Sequence, residues 1–148
     1  MMQMTTKVRY ALRALTELAA QAGQRPVTRA ELSALQNISA DYIAQLFRHL
    51  QAAGLVHSVR GPGGGYVLAR DAAAISVGDI VRATDGPIAL APCYQCGLPC
   101  SRATECVARL VWEDASDALM RRLDAWSLAD VVSRAEGAPG HHTDGQES

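Results

Sequence analysis

The spacing of hydrophobic residues along the chain predicts a mainly helical protein. Residues 6–22 place apolar side chains at intervals of three and four, which is the spacing of one helix face, and Gly23 ends that pattern. Thr28 and Glu31 carry the signature of a capping box, so a second, short helix is predicted from there to about residue 35. Ser39 is a favourable N-cap for a third helix, through about residue 53.

The second and third predicted helices are joined by only three or four residues, which is typical of a helix-turn-helix. The first turns of such a third helix meet base edges in the major groove of DNA. On its polar side, Gln45 can pair with adenine, Ser39 can bind phosphate at the helix start, and Arg48 can reach the backbone. Each of these three residues could equally be an ordinary solvated polar position.

Two short β-prone runs follow, at residues 55–59 and 66–69, and a glycine- and proline-rich turn separates them. They predict a hairpin, and a hairpin directly after a helix-turn-helix is the wing of a winged helix. Arg60 at its base could enter a narrow minor groove, and Gly63 and Gly64 let the backbone approach a surface closely. The alternative is a merely flexible loop.

The second half of the chain predicts further helices. Ser76 caps a short one, and a long amphipathic helix runs over about residues 104–125, with a last turn or two near residues 128–133. The apolar stripe of the long helix exceeds what one small domain covers, so we expect a homodimer; packing back onto its own domain is the alternative. The predicted division is a winged-helix domain (1–86), a cysteine-rich loop (87–106), a dimerisation helix with terminal turn (104–135) and a disordered tail (136–148).

Charge is unevenly distributed along the 148 residues. Residues 1–70 carry eight Lys and Arg against three Asp and Glu, whereas residues 71–148 carry six against twelve. A basic first half can face a polyanion while the acidic half stays away from it, although chance could also give this asymmetry. No stretch approaches the length of a membrane span, and a cytoplasmic protein is expected.

All four cysteines lie within fourteen residues, and they follow the spacing C-x2-C-x3-C-x5-C. They are Cys93, Cys96, Cys100 and Cys106. Thiols this crowded indicate metal or redox chemistry in a reducing compartment. Thiolates suit iron–sulfur clusters, zinc or copper(I), and the spacing alone does not choose between these metals or a reversible dithiol switch.

Three segments resemble the IscR-like iron–sulfur regulators of the Rrf two family. They read KVRYA at residues 7–11, YIAQLF at residues 42–47 and GLVHSVRGPGGGY at residues 54–66, and the similarity extends over about residues 4–132. The resemblance implies a winged-helix homodimer that binds near-palindromic operators in double-stranded DNA. It also implies DNA contacts from Tyr42, Gln45 and Arg60, and a cluster held by the loop before the dimerisation helix.

The cysteine loop departs from the usual pattern of that family, which has three cysteines at six-residue steps and a fourth, non-cysteine ligand. Cys100 and Cys106 keep this step, whereas Cys93 is displaced by one residue. Relatives carry a histidine or an aspartate as the fourth ligand at positions that are Arg109 and Arg9 here, and arginine cannot ligate iron.

We therefore hypothesise ligation by all four cysteines, with Cys96 as the additional ligand. A 2Fe–2S cluster is the first choice by similarity and 4Fe–4S the alternative. The predicted function is a sequence-specific transcription regulator whose operator binding responds to the cluster, and so to iron–sulfur status or to redox or nitrosative stress. The alternatives are a DNA-binding thiol or zinc sensor and, in another class, an iron–sulfur carrier or electron-transfer protein. The chain shows neither an activated nucleophile pair nor a phosphate-binding loop, so we predict no enzyme and no small-molecule substrate.

Overall fold

The computed structural model describes residues 3–91 and 106–137. Within those two ranges the chain forms α-helices, one short 3-10 helix and a two-stranded antiparallel sheet. In chain order the elements are α1 (Thr6–Ala20), α2 (Arg29–Gln36), α3 (Ala40–Ala52), β1 (Val56–Val59), β2 (Gly65–Leu68), the 3-10 helix (Ala72–Ala74), α4 (Val77–Asp85), α5 (Val107–Asp124) and α6 (Leu128–Gly137). This is the predicted order of three helices followed by a hairpin.

Capping interactions between neighbouring residues determine where the helices of the helix-turn-helix begin and end. The Thr28 side chain accepts a hydrogen bond from the Glu31 N–H at 3.1 Å, and the Glu31 carboxylate accepts one from the Thr28 N–H at 2.7 Å. That backbone N–H also lowers the pKa of Glu31. Asn37 ends α2 in the left-handed conformation with φ of 53°, and this turns the chain into α3.

The hydrophobic core lies between α1, α2, α3 and the hairpin. Its largest fully buried side chain is Phe47 of α3, which also packs against Tyr66 of β2 at 4.2 Å between ring centroids. Leu128 of α6 is fully buried in the same cluster, and the Leu128 N–H donates to the Ile75 carbonyl at 2.8 Å. The terminal helix, which the sequence predicted only as a short turn, therefore helps to close the winged-helix core.

The long helix α5 contacts its own domain through one narrow face. Met120 is buried against Val8 of α1 and Val81 of α4 in a second, smaller cluster, and Ser116 is fully buried beside it. Several apolar side chains elsewhere on the helix are exposed: Val107 at 74%, Leu110 at 64%, Val111 at 55%, Trp112 at 44% and Leu119 at 39%. Packing back onto the domain, the alternative in the sequence analysis, thus accounts for one face of α5, and residues 3–91 and 106–137 leave these apolar side chains uncovered.

Two boundaries differ from the sequence prediction. Helix α5 begins at Val107 rather than near residue 104, so Cys106 precedes the helix as its N-cap. Helix α6 continues to Gly137, so the tail expected from residue 136 lies outside the described residues apart from its first two positions, which are helical. No helix in residues 3–91 and 106–137 is long and apolar enough to cross a bilayer.

Candidate nucleic-acid interface and cysteine segment

Helix α3 presents a polar face away from the core. Its buried side is formed by four apolar residues at helical spacing: Ile43, Leu46, Phe47 and Leu50. Gln45 and Arg48 are exposed on the opposite side, and Ser39 caps the first turn by accepting from the Tyr42 N–H at 3.1 Å. The free end of this helix therefore offers backbone N–H groups and polar side chains to a ligand such as a nucleic acid.

Tyr42 is half-buried because a second aromatic ring supports it. Tyr10 of α1 meets the Tyr42 ring edge-on, with centroids 6.0 Å apart and an interplanar angle of 78°. This contact fixes the direction of Tyr42 at the start of α3. The sequence analysis gave Tyr10 no role, although this residue lies in the KVRYA segment (residues 7–11) that carries the family resemblance.

The wing turn depends on its glycines for internal reasons. A side chain at Gly64 would lie 2.2 Å from the Val59 carbonyl oxygen, and one at Gly65 would lie 2.4 Å from the Val27 carbonyl oxygen. Gly63 has open space around it but adopts φ of 74°, which disfavours other residues. The hairpin geometry alone thus accounts for these glycines, and contact of Gly63 and Gly64 with DNA remains a prediction.

The wing and α3 are held together as one surface. The Gln51 side-chain amide donates to the Ser58 hydroxyl at 3.1 Å and joins the end of α3 to β1. Arg60 follows β1 directly and is exposed at the base of the turn. The structure therefore places Arg60, Gln45 and Arg48 on exposed positions of adjoining elements. Gln51 and Ser58 were not singled out from the sequence, because their pairing depends on how the hairpin folds back.

Among the four cysteines, Cys106 is the one in the described part of the chain; Cys93, Cys96 and Cys100 lie outside it. Cys106 is half-buried at the N-cap of α5, and its side chain makes no capping hydrogen bond. The free N–H groups of a helix start favour an anionic group such as a thiolate. Within residues 3–91 and 106–137, no three histidine, cysteine or acidic side chains gather as a metal site.

The neighbouring arginine is engaged elsewhere. The Arg109 Nε donates to the Glu113 carboxylate at 2.7 Å, one helical turn further along α5. Its backbone N–H donates to the Cys106 carbonyl at 3.1 Å. Arg109 is thus engaged by Glu113, and Cys106 is the one predicted thiol ligand whose position the structure describes.

The sequence profile of the Rrf2 family, described as an iron-dependent transcriptional regulator, matches residues 4–134. The chain belongs to the Rrf2 family. It is 39% identical over 135 residues to the HTH-type transcriptional regulator IscR of Escherichia coli O1:K1, an alignment that covers 91% of this chain and 83% of IscR. The resemblance inferred from the wing and recognition-helix segments is therefore confirmed.

Solved structures of Rrf2-type regulators share the fold. IscR of T. potens has a TM-score of 0.76 and 34% identity, over 94% of this chain and 92% of that one. CymR of B. subtilis, described as the global cysteine regulator, has a TM-score of 0.75 and 36% identity, over 90% of this chain and 98% of that one. The predicted mainly α, winged-helix architecture is confirmed, and this Rrf2-family chain is a transcription regulator rather than an enzyme.

Proposed function

We propose that this regulator binds its operator as a homodimer and that an iron–sulfur cluster on Cys93, Cys96, Cys100 and Cys106 controls the binding. The observation that carries the proposal is the position of Cys106, immediately before α5 and at the end of a run of four closely spaced thiols. The description of the family as iron-dependent and the similarity to IscR support the same cofactor.

The thiolates of the four cysteines would hold the cluster, with 2Fe–2S as the first choice and 4Fe–4S as the alternative. When bound, the cluster would supply a redox-sensitive link between the cysteine segment and the start of α5. Cys106 lies immediately before the first residue of α5, and the positive end of the α5 helix dipole would stabilise its thiolate as a ligand. Without that link, the N-terminal end of α5 would be less constrained, and its position relative to the domain could change.

On the DNA side, the exposed residues of α3 and the wing have separate roles. Gln45 reads a base edge in the major groove, and Tyr42, supported by Tyr10, lies beside it. Ser39 and Arg48 contact phosphates, and Arg60 enters the minor groove next to the wing. Base contacts set the operator sequence, whereas the phosphate contacts set affinity and its salt dependence.

The uncovered face of α5 is the surface on which we place the dimer contact. Val107 and Val111 lie one turn apart on that face, and both are more than half exposed in the single chain. Such apolar surface on a helix is stabilised when a second copy covers it. Two chains paired through α5 would then hold two α3 helices at a fixed separation along a duplex.

A thiol-based sensor without iron is the second candidate. The similarity to CymR, which is described as the global cysteine regulator of B. subtilis, favours it specifically. In that case the cysteines of this chain would form reversible disulfides or hold zinc, and the DNA-binding surface would keep the same roles.

Anaerobic purification of the full-length protein, followed by visible spectroscopy and iron and sulfide counts, separates the two candidates. We expect a brown protein, and we expect Cys96→Ala to abolish or alter its absorbance. Gln45→Ala is the matched control, which should weaken operator binding and leave the spectrum unchanged. A colourless, iron-free protein would overturn the cluster proposal, as would equal affinity of the cluster-loaded and cluster-free forms for one operator at fixed salt.

A further inference from the structure

The C-terminal half of α5 is tied to the winged-helix domain along a single face. Ser116, Met120 and Asp124 are spaced by four residues and point to the same side. Ser116 accepts a hydrogen bond from the Leu90 N–H at 3.0 Å, and Met120 packs against Val8 and Val81 as described above.

Asp124, the last residue of α5, lies directly on the backbone of α4. A Cβ atom at Gly78 would lie 1.9 Å from the Asp124 Oδ1, so any other residue there would displace the carboxylate from this position. Glycine inside a helix is unfavourable relative to alanine, by about 0.5–1 kcal/mol. Its presence in the first turn of α4 is therefore explained by the position of the carboxylate rather than by helix formation.

Arg82 of α4 holds that carboxylate with two parallel hydrogen bonds. The Arg82 Nη1 donates to one oxygen of Asp124 at 2.8 Å and Nη2 donates to the other, while the Ser76 hydroxyl donates at 3.3 Å. The hydrogen bond from Arg82 lowers the pKa of Asp124, and the same bond raises the pKa of Arg82. Asp79 also pairs with Arg82 at 3.5 Å and orients the guanidinium group.

This pair differs in kind from the other contacts of α5. A methionine in an apolar cluster adapts to small shifts because it is flexible and its packing is not directional. A forked guanidinium on a carboxylate fixes both distance and angle. The chain that follows α5 is also held to the start of α4, because the Val77 N–H donates to the Trp126 carbonyl at 2.8 Å.

We propose that Arg82 and Asp124 are positioning residues for operator recognition, which set the angle between α5 and the winged-helix domain. The inference rests on the proposed dimer through α5. A helix of 18 residues is about 27 Å long at 1.5 Å per residue, so a rotation of about 10° at Asp124 moves its far end by about 5 Å. A shift of that size alters the separation of two α3 helices on DNA and with it the preferred spacing of half-sites.

The test uses full-length protein purified anaerobically and duplexes selected from a random library by the unsubstituted protein. The two half-sites of the selected duplex are then moved apart or together one base pair at a time. The variants are Asp124→Asn, which keeps the shape, and Arg82→Lys, which keeps the charge. Glu136→Gln removes an exposed carboxylate of α6 and is the matched control.

We expect both variants to lose spacing selectivity: the affinity ratio between the best spacing and its neighbour falls about threefold, a factor typical of an exposed ion pair. Affinity for a single half-site should stay close to that of Glu136→Gln, and the melting temperature should fall only by the small amount that loss of an exposed ion pair causes. Variants that keep the original spacing profile would overturn the inference alone, even if they were less stable. An unsubstituted protein without any spacing preference would overturn the inference together with the dimeric mode of binding.

Discussion

The substitution Val111→Asp tests whether the uncovered face of α5 is an interface between two copies. Val111 lies near the middle of that face and is 55% exposed in the single chain. Surface substitutions of this kind change the stability of the monomeric fold by less than about 0.5 kcal/mol. Any large effect therefore has to come from a contact outside the part of the chain that the structure describes.

The size of that effect follows from the exposed fraction of the side chain. Complete burial of a valine stabilises by about 1.5–3 kcal/mol, so roughly half of this, about 1 kcal/mol, is left for an interface. A two-fold dimer contains the position twice, which gives about 2 kcal/mol, and a carboxylate in its place adds a desolvation cost. The dimer dissociation constant should therefore rise by at least about 30-fold.

Sedimentation equilibrium over a range of protein concentrations measures this constant, and thermal unfolding measures the fold itself. Val59→Asp is the matched control, because Val59 is also an exposed valine, at 42%, but lies on β1 of the wing. It should leave dimerisation unchanged and affect DNA binding alone. A Val111→Asp protein that dimerises as tightly as Val59→Asp would refute the assignment of this face.

Three further predictions concern the wing, the recognition helix and acid stability. Gly65→Ala should weaken operator binding and lower the melting temperature, because the new methyl group would collide with the Val27 carbonyl; circular dichroism and fluorescence anisotropy measure both. Gln45→Ala should reduce the preference for the selected operator over other sequences. Arg48→Ala should weaken binding to all DNA sequences alike and reduce the dependence of the affinity on salt concentration. Finally, the free energy of unfolding should fall as the pH drops below 3.8, the ordinary aspartate pKa. The pKa of Asp124 is lowered because Arg82 stabilises its ionised carboxylate, so this stabilisation is lost when the carboxylate is protonated. In denaturant titrations at several pH values, Asp124→Asn should show a smaller fall.

The sequence determined the parts of this protein that rest on neighbouring residues. Thr28 with Glu31 and Ser76 with Asp79 form capping boxes, and Ser39 caps α3, because each of these caps is made within three residues. The spacing of apolar residues at intervals of three and four likewise indicates the buried side of α3. The family resemblance rested on such local segments, and so the winged helix was predictable without coordinates.

Tertiary structure decided which face of α5 meets the domain and what supports the candidate site. The sequence stripe did not single out Ser116, and it did not predict that a carboxylate would rest on Gly78. Tyr10 supports Tyr42, and Gln51 reaches Ser58, across elements whose relative placement no short pattern encodes. The physical reason is that local hydrogen bonding fixes where a helix begins and ends, whereas the burial of a given face depends on the elements that pack against it.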